Sequence, residues 1–177
     1  MARFFALALL AVALAPPALS QGSKDSSDLV YGKDWAFAVA EPVGWRLNWK
    51  TAKSWGANAI LYRDLQGLKD GSDLIRITVA SKVDEHTEKD LQSDMTAYSE
   101  QYPSATFSDF SVSHPTYRVL SKLFQVRGES YEYVTYLNPG PEFRHILSIA
   151  FNKQGSPASA RELATFQEIV ASVRMVR

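Results

Sequence analysis

The residues of this chain with types suited to chemistry or recognition are three histidines, scattered serines and a group of tryptophans. His145 stands in the run Phe143 to Phe151 (FRHILSIAF), beside Arg144, and shares strand parity with Phe143 and Leu147. An imidazole so placed could serve as a general base if a carboxylate oriented it. It could equally be a histidine hydrogen-bonded near the core or at a sheet edge. His86 belongs to Asp84-Glu85-His86-Thr87-Glu88-Lys89-Asp90, where oxygen ligands and one imidazole are concentrated. That segment lacks the glycine pivot and odd-position spacing of a calcium loop, and no second histidine pairs with His86 for a transition metal. Its acids suit the first turn of a helix, where they complement the positive end of the dipole. No metal or other cofactor is expected. His114 precedes Pro115 in a turn.

Nucleophilic chemistry has little support. No serine lies in a Gly-x-Ser-x-Gly elbow or a Ser-x-x-Lys box, and the nine glycines are dispersed rather than gathered into a phosphate loop. The reading is therefore non-catalytic. The tryptophans suggest recognition instead. Trp45, Trp49 and Trp55 lie close together with Lys50, Lys53 and Arg63 nearby, and aromatic and arginine side chains dominate interface hot spots. Trp45 and Trp49 share strand parity, which also fits packing beneath a helix. Trp55, beside Gly56, is expected to be exposed. The candidate binding residues are thus Trp55, Trp49, Arg144 and His145.

These side chains must be carried by some frame, and periodicity supplies one. Trp35, Phe37 and Val39 alternate as a strand; Trp45 to Trp49, Ala57 to Arg63 and Leu74 to Ser81 read as three more, with a polar loop over Asp64 to Asp73. Leu91, Met95, Tyr98 and Tyr102 recur at helical spacing, with Thr87 as N-cap and Pro103 as the stop. Strands are expected at Phe107 to Ser113, Tyr117 to Arg127 and Ser130 to Leu137, the last two joined by a two-residue Gly128-Glu129 hairpin. The run from Phe143 to Phe151 is apolar on both sides over its later half, which places it centrally in the sheet. A closing helix carries Leu163, Phe166, Ile169, Val170 and Val173, with overlapping start signals at Ser156-Pro157 and at Ser159 with Glu162. Short connections make most strand pairs antiparallel. The fold class is α+β, a mostly antiparallel sheet flanked by two amphipathic helices.

The N-terminus reads as an address. Arg3 precedes an unbroken apolar run from Phe4 to Ala15, then Pro16-Pro17 and the small-residue pattern Ala18-Leu19-Ser20. That is the form of a signal peptide cleaved after Ser20, shorter than the roughly 20 residues of a membrane span. Residues 21–28 (QGSKDSSD) read as a flexible linker, and 29–177 as one domain. The chain has no cysteine, which excludes disulfides, a thiol nucleophile and a lipidated cysteine at the cleavage point. Lys and Arg (19) equal Asp and Glu (19) in number, so no basic field recommends nucleic acid or anionic lipid. A periplasmic or secreted protein without membrane span or lipid anchor is expected.

The pattern resembles the PsbP-like α/β/α sandwich, a fold shared by the extrinsic PsbP subunit of photosystem II, the Mog-type Ran-binding proteins and small exported bacterial domains. The resemblance is carried by the opening strand with its Pro-x-Gly-Trp turn (Phe37 to Trp45), the helix from Thr87 to Tyr102 and the meander ending in Tyr131 to Phe151. The closing helix, with Phe166 and the tail Val170-Ala171-Ser172-Val173, completes it. It implies a binding or assembly-assisting domain with a protein partner in the cell envelope. A small-ligand or metal-binding pocket between sheet and helix is the alternative, and a hydrolase around His145 the third.

Overall fold

A computed structural model describes residues 27–71, 73–82 and 87–176. The stretch read as a signal peptide, most of the stretch read as a linker and the Asp84-Glu85-His86 segment lie outside the described residues. Over the described residues the fold is α+β, with two antiparallel sheets and three α-helices. The elements are β1 (Ser27–Tyr31), β2 (Ala36–Ala40), β3 (Arg46–Asn48), β4 (Ala59–Tyr62), α1 (Leu65–Asp70), β5 (Leu74–Ser81) and α2 (Thr87–Gln101). They continue as β6 (Thr106–Asp109), β7 (Arg118–Val126), β8 (Ser130–Asn138), β9 (His145–Gln154), α3 (Ala160–Ser172) and β10 (Arg174–Val176).

Seven strands form the main sheet in the order β3-β4-β5-β9-β8-β7-β6, and every pair is antiparallel. β9 is its middle strand, as the two-sided apolar pattern requires. Leu147, Ile149 and Phe151 face one side and Ile146 and Ala150 the other, all buried. Complete burial of a Leu, Ile or Phe side chain contributes about 1.5–3 kcal/mol, so β9 anchors both layers.

α2 covers one face, where Leu91, Met95 and Tyr98 meet Phe124, Val134, Tyr136, Ile146 and Ala150. α3 covers the other, setting Phe166, Ile169 and Val170 on Phe151 and Ile149. It starts at Ser159, whose hydroxyl accepts from Glu162 N while Glu162 reaches back to the Ser159 amide, so of the two start signals the capping box is the one used. Lys153 donates to Glu162 (2.9 Å) and to Asp73, tying the outgoing end of β9 to this first turn.

Beside α3 lies a second, three-stranded sheet, β1-β2-β10. Phe37 and Val39 point from it into the core and are fully buried. β1 begins at Ser27, inside the stretch read as linker. β10 was not expected: the chain leaves α3 at Val173, extends, and pairs Met175 with Phe37.

Three local expectations are corrected. The Asp64 to Asp73 segment contains α1, capped by the Asp64 carboxylate on Gly67 N (2.7 Å) and ended by Gly71 in the left-handed region. The β7–β8 connection has three residues, Arg127 to Glu129, because Val126 pairs with Ser130. Thr87 is the first helical residue of α2 rather than its cap. Among the described residues no helix is long and apolar enough to cross a membrane.

Candidate functional site

Two turns from opposite layers make the walls of a cleft. The first is Gly32 to Trp35, joining β1 to β2 and closed by Gly32 N donating to Trp35 O (2.9 Å). The Trp35 ring lies back across Gly32 so closely that a Cβ there would sit 2.3 Å from its Cε2. Only glycine permits that approach. The ring continues onto Phe37, stacked at 6.0 Å, so Lys33 and Asp34 are held at the tip by a turn anchored in the core.

The second wall is the β8–β9 loop, Pro139 to Arg144. Asn138 Oδ1 accepts from Gly140 N (3.1 Å), Lys82 Nζ donates to Gly140 O (2.6 Å), and Lys82 N donates to Arg144 O (3.0 Å). Between the walls is a space of about 780 Å³ bounded by Tyr31, Trp35, Phe143, Arg144, His145 and Val176 among others. A neighbouring hollow of about 450 Å³ shares Asp34, Phe143, Arg144 and His145 and extends to Ser81 and Lys82. The two form one recess on either side of Asp34 and His145.

His145 is the first residue of β9 and is buried. Its Nε2 stands 3.8 Å from Asp34 Oδ1, an ion-pair separation but longer than a hydrogen bond. Ser81, the last residue of β5, is its direct cross-strand partner, so both side chains stand on the α3 face. A serine, an imidazole and a carboxylate therefore meet at one end of the sheet, without a hydrogen bond between His145 and Asp34.

Of the four candidate residues, the structure brings three to this region. Arg144 and His145 line the recess. Trp49 stands at its rim through Tyr31, 6.4 Å away between ring centroids at 39°. Both aromatics are exposed, 68% for Tyr31 and 49% for Trp49. Leu29 and Val176 extend the same surface: register places Leu29, Tyr31 and Val176 beside Ala36 and Ala38 on the outer face of the small sheet.

Trp55 goes elsewhere. Its ring lies over Gly71 and packs with Leu68 against the Ala52, Ile60 and Leu74 cluster, so the exposure expected from its polar neighbours is not found. Nor do Trp45 and Trp49 pack together under α2. Trp45 is buried edge-on to Phe151 on the α3 face, with the Arg63 guanidinium over its ring. β3 ends at Asn48, so strand parity does not carry to Trp49.

Sequence reasoning missed Tyr31, Lys33, Asp34 and Trp35 as a group. Gly32-Lys33-Asp34 between two alternating runs was a hairpin signal, yet only the tertiary fold sets it against the start of β9.

Elsewhere, His114 is committed to structure. Its Nδ1 accepts from the backbone amides of Thr116 and Tyr117, its Nε2 contacts Val173 O, and its ring stacks on Tyr117. Burial lowers its pKa, opposed by the Val173 hydrogen bond and aided by nearby Arg174. Among the described residues, no three His, Asp or Glu side chains converge in a form that could hold a metal ion.

Compared with known families and with curated proteins, the chain matches no family model and no curated sequence.

Proposed function

We propose that this chain is an exported binding domain of PsbP-like architecture, without catalytic activity, that takes an extended segment of a partner protein across the small sheet and into the His145 recess. One observation carries this reading: exposed Tyr31, with the exposed Trp49 ring beside it, lines a recess edged by Lys33 and Arg144. Aromatic and arginine groups beside a shaped hollow are the usual anchors of protein recognition. The surface matches a segment with an apolar or aromatic side chain for Tyr31, Trp49 and Val176, followed by a carboxylate for Arg144 and Lys33. The leader-like pattern of residues 1–20 and the absence of cysteine are the sequence features that favour an extracytoplasmic address.

The test is affinity capture from the exported fraction, identification of the partner, and titration with both proteins purified. Tyr31→Ser and Arg144→Glu should each weaken binding about tenfold or more. Leu65→Ser, exposed but remote on α1, should not. Equal affinities for wild type and both site variants would overturn the proposal.

A second reading, hydrolysis, is favoured by the meeting of Ser81, His145 and Asp34. Its first requirement is a base oriented by hydrogen bonding, and the 3.8 Å separation leaves that unmet. Release of p-nitrophenol from p-nitrophenyl acetate, abolished by both Ser81→Ala and His145→Gln, would establish it over the binding reading.

A further inference from the structure

The opposite face of the main sheet holds a second hollow, of about 620 Å³, between α2 and strands β5, β9 and β8. The register explains its character. Thr78 pairs with Ser148, and Ser148 with Tyr136, so three hydroxyl-bearing residues stand in one row across the middle of the sheet. The next row toward the far end of the sheet is Arg76, Ala150 and Val134. A helix-covered sheet face stabilises a fold most simply with aliphatic side chains, as the α3 face of the same strands does with Ile77, Ile149 and Leu137, its buried Thr135 being satisfied by Ser121. Here the central row is polar.

The polar groups are only partly used within the protein. Tyr136 donates to Asp94 on α2 and also hydrogen-bonds Ser148, and burial together with the Asp94 carboxylate pushes its phenol pKa well up. Arg76 is paired through Nη2 with Glu132. Its Nε is shielded from solvent and has no hydrogen-bond partner among the described residues. A buried guanidinium N–H left open costs free energy unless something accepts from it.

The lining charges weigh against one class of ligand. Among the described residues lining the hollow, Arg76 and Lys89 are outnumbered by Asp90, Asp94 and Glu132, which disfavours an anion. What remains is a wall offering both donors and acceptors, with Phe124 and Tyr98 rings at right angles to each other (80°) at one end. That combination matches a ligand whose every polar group both donates and accepts and whose carbon skeleton has an apolar face. We infer that the α2 hollow is a binding site for a neutral polyhydroxylated ligand, a mono- or disaccharide. The volume is within the range of small-molecule sites. Arg76 Nε and the Thr78–Ser148 hydroxyls would meet the ligand's hydroxyls, and the aromatic end its C–H face. The site is independent of the His145 recess, which lies at the end of the sheet on the α3 side.

The experiment is calorimetric titration of the purified protein with glucose, galactose, mannose, N-acetylglucosamine, maltose and lactose, with decanoate and glutamate as apolar-anion and charged-ligand probes. At least one saccharide should bind saturably, while decanoate and glutamate do not. Thr78→Val and Ser148→Ala, which remove hydroxyls with little change in volume, should each weaken that binding about tenfold. Val43→Ser, on an exposed turn away from both sites, should leave it unchanged. If Thr78→Val perturbs the fold by circular dichroism, Ser148→Ala alone decides. Saturable binding of decanoate or glutamate in place of a sugar would overturn the inference. So would the absence of saturation by every saccharide, or sugar affinity indifferent to Ser148→Ala.

Discussion

The rings of Tyr31 and Trp49 lie 6.4 Å apart, yet the rest of the domain covers neither completely. A buried aromatic pair supports the fold through the area it removes from water, whereas this one leaves much of its surface wet. Replacing Tyr31 with Ser should therefore change stability by no more than about 0.5 kcal/mol. It should still weaken partner binding. Urea denaturation of the variant checks the first half, and a large loss of stability would show that the pair supports the fold rather than recognition.

Gly32 makes the opposite prediction. Its backbone is overlain by the Trp35 ring, and a Cβ would overlap that ring. Gly32→Ala should displace Trp35 and cost about 1–3 kcal/mol, as overpacking does. It should also lower partner affinity, because Lys33 and Asp34 ride on the same turn. A melting temperature equal to wild type would show that the ring has room to move.

His114 predicts a dependence on mild acid. Its folded pKa is depressed by burial, so below the unfolded value of about 6.5 the unfolded chain binds the extra proton more readily. The stabilisation is complete above that pH and declines as the pH falls through and beneath it. Urea midpoints measured from pH 7.5 to pH 5 should fall for wild type and fall less steeply for His114→Gln. Identical slopes would remove His114 as their source.

Glu162 acts in a lower window. Burial alone would raise its pKa, but hydrogen bonds from Lys153 and from Ser159 outweigh it and hold the carboxyl at about 2. Against an ordinary value of 4.5, its contribution is present above pH 4.5 and is lost as the pH falls from there toward 2. Glu162→Gln should lose stability at pH 6 and converge on wild type near pH 2. Ser159→Ala, which removes the cap on Glu162 N at every pH and also the hydroxyl's hydrogen bond to the Glu162 carboxylate, should still cost about 1 kcal/mol near pH 2 and somewhat more at pH 6. A constant gap for Glu162→Gln down to pH 2 would refute the ionic account.

How far these sites could be read from sequence depends on the range of the forces that build them. β9, α2 and the capping box of α3 were legible because each is written in a local period or a short cap motif. α1 was not, since Leu65–Asp70 is a single short helix whose formation depends on the Asp64 cap and on Trp55 lying over Gly71. β10 was invisible for the same physical reason. Three residues cannot declare a period, and Arg174 to Val176 become a strand only because β2 is there to pair with them. The approach of Asp34 to His145 and the hydroxyl row of Thr78, Ser148 and Tyr136 are products of register between distant strands. His145 and Arg144 could be singled out early, but their surroundings could not.

The small sheet has a consequence for the order of events in time. β2 is flanked by β1, near the start of the described chain, and by β10, near its end. A polypeptide emerging N-terminus first can form the β1–β2 hairpin early, but that hairpin must wait for residues 174–176 before its second edge is filled. Pairing across such a sequence separation is slow relative to local structure. Until then Phe37 and Val39 have no α3 against which to bury. The last strand thus acts as a latch, and the small sheet is complete only when residues 174–176 have paired with β2.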